Sequence, residues 1–111
     1  MLVKSVLIET DGSMKDVIVD DASVHEYMNG DVSFVGAVDA LQIVAIARTQ
    51  PNNEEVNMHT LPPDTIEPGV AGKILLMGSD RNGKGMHICT DEINFYFSPC
   101  PLTRRQAQKK K

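Results

Sequence analysis

Tryptophan is missing from this 111-residue chain, and aromatic residues make up only 5% of it. A core must therefore be built from Val, Ile, Leu, Met and Ala. Cysteine is scarce as well. Cys89 and Cys100 are too few for a disulfide framework, which favours a reducing, intracellular setting in which the two stay unbonded. No apolar run approaches the ~20 residues that span a bilayer. The opening "MLVKSVLIET" carries Lys4 where a signal peptide needs an unbroken apolar stretch. Disulfide-stapled miniproteins and helical membrane proteins are thereby set aside, and no membrane partner is expected. What is present, 41% apolar residues, suits one compact domain.

Charge is unevenly spread. Residues 1–103 carry six Lys/Arg against fifteen Asp/Glu, a net of −9, while "RRQAQKKK" carries five positives and no acid. An acidic body thus precedes a basic tail. Pro99 and Pro101 stop any element leaving "NFYF", so the expected division is a domain over 1–97 and a linker with tail over 98–111.

"LVKSVLIE" and "KDVIVD", joined across an Asp-Gly turn, predict a β-hairpin. In "DDASVHEYMNG" the period changes: Val24, Tyr27 and Met28 share a helical face, Ser23 and Glu26 have capping-box spacing with Asp20 or Asp21 as rival caps, and Asn29-Gly30 is a stop signal. The run 31–49 reads as two strands, "VSFVGAV" and "LQIVAIAR", with a buried helix over 36–47 as the alternative. Four prolines make 49–72 a long connection, with a brief extended piece at Val56–Met58. "GKILLMG" and "MHICT" follow as strands, and Thr90 with Asp91 and Glu92 opens a helix. The expected fold is α+β: a mainly antiparallel sheet of five or six strands with one or two short helices. Its expected core is Val6, Ile8, Ile18, Phe34, Ile43, Val44, Ile46, Ile74 and Leu76.

"GSDRNGKG" (78–85) admits three readings. As a calcium loop it puts Lys84 where an oxygen ligand belongs and Asp91 where a bidentate Glu should close the site. As a phosphate loop it has Gly78, Gly83 and Lys84 in place, but Gly85 replaces the Ser or Thr, and a strand follows instead of a helix. As a hairpin it offers Asp80 to start the turn and Asn82-Gly83 for positive φ. The hairpin reading fits best, so no ligand is expected there.

His87 and Cys89 alternate on one strand, and with His59 and Cys100 they form the candidate set for zinc or for a small enzyme. No C-x-x-C or H-x-x-x-H pair supports that set, so no cofactor and no catalysis are expected. Arg104, Arg105, Lys109, Lys110 and Lys111 are the candidate partner-binding residues. Nucleic acid is expected to bind only through this tail, because the body lacks a basic face and an exposed aromatic platform.

The succession "IVAIAR", a polar loop, "TLPPD" and "GKILLMGSDRNGKGMHICTDEI" resembles domain-of-unknown-function family 3846, small proteins of phages and large DNA viruses. The likeness runs over residues 2–97 in order of elements, while the Pro-rich loop and the basic tail depart from it. It implies a viral origin, with a place in the host cytoplasm or nucleus or in the virion, and it implies no activity. The resulting expectation is a non-enzymatic viral protein that binds another macromolecule, a protein first of all, as a virion component or a host-interaction factor.

Overall fold

The Asp-Gly turn sets the first pairing. In the computed structural model, which describes residues 2–50, 54–80 and 85–97, β1 (Leu2–Ile8) and β2 (Met14–Asp20) pair antiparallel from Leu2 opposite Asp20 to Ile8 opposite Met14. Asp11 Oδ1 accepts the Ser13 N–H at 2.9 Å and its hydroxyl at 2.7 Å, while Gly12 takes φ 92°. A Cβ on Gly12 would come within 2.6 Å of the Met58 carbonyl oxygen, so the turn also needs glycine for its close contact with the long connection.

Helix α1 is only Val24–Tyr27. Its end is the one the sequence signals. Asn29 takes φ 62°, its N–H donates to the Glu26 carbonyl, and the Gly30 N–H donates to that of His25, which together make a Schellman motif. Its start departs from expectation, since Ser23 makes no side-chain cap bond. The run 31–49 is two strands, β3 (Val32–Val38) and β4 (Ile43–Arg48), joined by a 3₁₀ turn at Asp39–Leu41. The helical alternative over 36–47 falls because β4 is hydrogen-bonded on both sides, to β3 and to β5 (Ile74–Ser79).

The strand order is β2-β1-β5-β4-β3, all antiparallel, and β6 (Gly85–Met86) pairs with the end of β5 to make six strands. Helix α2 (Thr90–Phe97) closes the described chain. The expected α+β class and strand count are therefore what the structure has. "MHICT" is not a strand, however. Its pairing ends at Met86, because the Ile88 N–H turns to the Lys4 carbonyl and Cys89 already caps α2.

One sheet face carries Val6, Ile8, Val38, Ile43, Ala45, Ala47, Ile74 and Leu76. The long connection roofs it with Leu61 and Ile66, and the final segment does so with Ile88 and Ile93. Asn57 clips that roof in place. Its Nδ2 donates to the carbonyls of Gly72 (2.8 Å), Glu9 (3.1 Å) and Ile8 (3.2 Å). The expected extended piece beside it is a single bridge, Val56 to Ala71. Farther along, the connection lies on the outer edge of β3: Ala37 N–H donates to the Thr65 carbonyl and Glu67 N–H to that of Val35. Gly36 is required there, because any Cβ would land on the Thr65 carbonyl.

The opposite face carries Leu7, Val19, Ile46, Leu75 and Met77, joined by Met28. Two expected core residues are in fact outside. Ile18 is 63% exposed and Phe34 72% exposed, while Val44 is half-buried. Ile18 and Phe34 both lie on edge strands where no roof reaches them.

Candidate functional site

A four-residue helix cannot cover a sheet face. Val24 and Met28 bring α1 over β1, β2 and part of β5, and a groove of about 370 Å³ is left beside it. Val44, Ile46 and Met77 form its floor, Val24 lines the α1 side, and Val32 and Phe34 form the side along β3. The pairing explains this grouping. Ile46 lies opposite Phe34 and Leu75, and Val44 opposite Met77, so these side chains must share one face. The groove continues past Val44 and Ser79 into a second cleft of about 290 Å³ that includes Asp39 and Gln42. Where the long connection stops, the β3 edge at Val32–Phe34 has no backbone cover among the described residues.

Tyr27, Phe34, Phe95 and Tyr96 all stand exposed, and of the five aromatic residues only Phe97 packs against the core. The sequence missed the groove for a definite reason. Alternation in "VSFV" shows that Phe34 has a face, but not that this face lacks a roof.

The structure does not bring the zinc candidates together. His87 Nδ1 accepts the Lys4 N–H at 3.0 Å, near the start of β1. His59 follows Met58, whose N–H donates to the Thr10 carbonyl past the other end of β1. Six residue steps, most of them along β1, separate those anchors, about 20 Å, so the two rings cannot share one ion. Cys89 is a free thiol at the start of α2, where its N–H donates to Glu92 Oε1 at 3.0 Å and Asp16 Oδ1 takes the Thr90 N–H at 2.8 Å. Among the described residues, no group of three His, Cys, Asp or Glu is placed to hold a metal. Cys100 and the tail residues Arg104, Arg105, Lys109, Lys110 and Lys111 lie outside the described residues.

The turn Asn82-Gly83 also lies outside them, but its flanks are described. Gly78 pairs with Met86 and Ser79 with Gly85, antiparallel, so Gly85–Met86 is a strand and not the helix a phosphate loop requires.

Fold and groove together define a small α+β sheet domain with one roofed face and one face that α1 covers only in part. The chain belongs to a family of unknown function, DUF5880, whose model matches residues 6–96. That assignment overturns the resemblance to family 3846, which rested on common turn and cap residues, and with it goes the support for a viral origin. No curated protein and no solved structure matches the chain.

Proposed function

We propose that this protein is a non-enzymatic protein-binding domain that takes an extended, apolar segment of a partner along the groove between α1 and β3. One observation carries the reading: the floor of Val44, Ile46 and Met77 continues to an exposed Phe34 at the sheet edge. A large apolar side chain on an edge strand is costly in a monomer, because it invites pairing with other chains. Used deliberately, it is an anchor. A partner strand beside Val32–Phe34 would gain main-chain hydrogen bonds and set alternate side chains into the groove. The cationic residues Arg104, Arg105, Lys109, Lys110 and Lys111 give the same chain a second arm, for which an anionic surface is the complement.

The test is selection of peptides from a displayed random library on the full chain. Selected peptides should be apolar at alternate positions. Phe34→Asp should weaken them at least about tenfold, as expected for loss of a central anchor. Phe95→Asp, at an equally exposed aromatic on α2, should leave them unchanged. Peptides indifferent to Phe34→Asp would overturn the proposal.

A further inference from the structure

The long connection is held by a chain of short bonds at 57–61. Asn57 Oδ1 accepts the His59 N–H at 2.9 Å, and His59 Nδ1 accepts the Leu61 N–H at 3.2 Å. Leu61 itself is buried in the main cluster beside Ile66 and Ile93. His59 therefore links a clip on β1 to an anchor in the core, through its backbone N–H towards Asn57 and through its imidazole, as an acceptor, towards Leu61.

We propose that His59 is a proton-operated latch: neutral, it fixes Leu61 in the roof, and protonated, it lets the 58–61 stretch go. Protonation turns Nδ1 into a donor facing another donor, so the Leu61 bond is lost and replaced by repulsion. Burial acts in the same sense, holding the His59 pKa below the ordinary histidine value of 6.5. The carboxylates on the neighbouring turn do not oppose it. Glu9 pairs with Lys15 at 2.8 Å and Lys73 at 3.7 Å, and Asp11 is bound by Ser13. On its own segment, Glu54 pairs with Arg48, and neither Glu55 nor Asp64 bonds the ring.

The sign follows from linkage. A histidine with a lowered folded-state pKa binds more protons when unfolded, so stability is complete above about pH 7 and erodes as the pH falls below 6.5. The latch is independent of the groove, which lies on the other face.

The experiment is a pH titration of the full chain from 7.5 to 5, followed by amide NMR and melting temperature. The Leu61 amide should lose protection with the midpoint of His59, below 6.5. His59→Asn offers an oxygen where Nδ1 sits and cannot protonate, so its Leu61 amide should stay protected throughout. The acid fall in melting temperature, on the order of 5 °C for one lost bond in a domain this size, should shrink to match. The Lys4 amide reports the separate bond to His87. A Leu61 amide that ignores pH, or one that responds equally in His59→Asn, would overturn the latch.

Discussion

Asn57 ties the long connection to the first hairpin and to the approach of β5. Its amide nitrogen serves three carbonyls, its oxygen accepts the His59 N–H, and its own N–H donates to Val70. Asn57→Ala should cost about 2–4 kcal/mol in chemical denaturation, the range for orphaned buried polar groups. Asn57→Asp should cost more, because it sets a carboxylate against those three carbonyls. At this scale the sequence was readable where period alone decides. Val6, Ile8, Ile43, Ile46, Ile74 and Leu76 are buried as their alternation predicts. Ile18 and Phe34 alternate just as well and stand in solvent, because alternation assigns a face and cannot say whether anything covers it. Asn57 gave no signal, since the carbonyls its amide nitrogen binds are 15 and nearly 50 residues away.

Turns with their own chemistry made the elements legible. Asp11-Gly12 and Asn29-Gly30 place the first hairpin and the end of α1 within a residue or two. Strand β6 is the contrary case. "MHICT" looks extended, yet its backbone is claimed by Lys4 on β1, a tertiary effect, and by the local capping of α2. The cover over the β3 edge is equally hidden in the sequence, and it hangs on Gly36. Gly36→Ala should cost about 1–3 kcal/mol by overpacking against Thr65. Hydrogen exchange should localise the damage, with Ala37 and Glu67 amides losing protection and those of β1 keeping it.

For the molecule as a whole, charge and topology act separately. All fifteen acids lie within residues 1–103, whose net charge is −9, and the five positives beyond Thr103 bring the chain to −4. A chain ending at Leu102 should melt at the same temperature as the full one. It should lose any binding that falls steeply between low and moderate salt. Unfolding on truncation would make the tail part of the domain. Topology has a different outcome. Strand β5 lies between two hairpins, β1-β2 and β3-β4, each of which is complete in the chain long before β5 arrives. Val6 waits for Leu76, and Ile46 waits for Leu75. During synthesis, therefore, two half-sheets emerge with open inner edges and must be kept apart until the strand that joins them leaves the ribosome. Such non-local closure is slow and aggregation-prone. The strand at the centre of the finished sheet is thus the last of the five on its main path to be made, and yield in cells should depend on how fast residues 49–79 are translated.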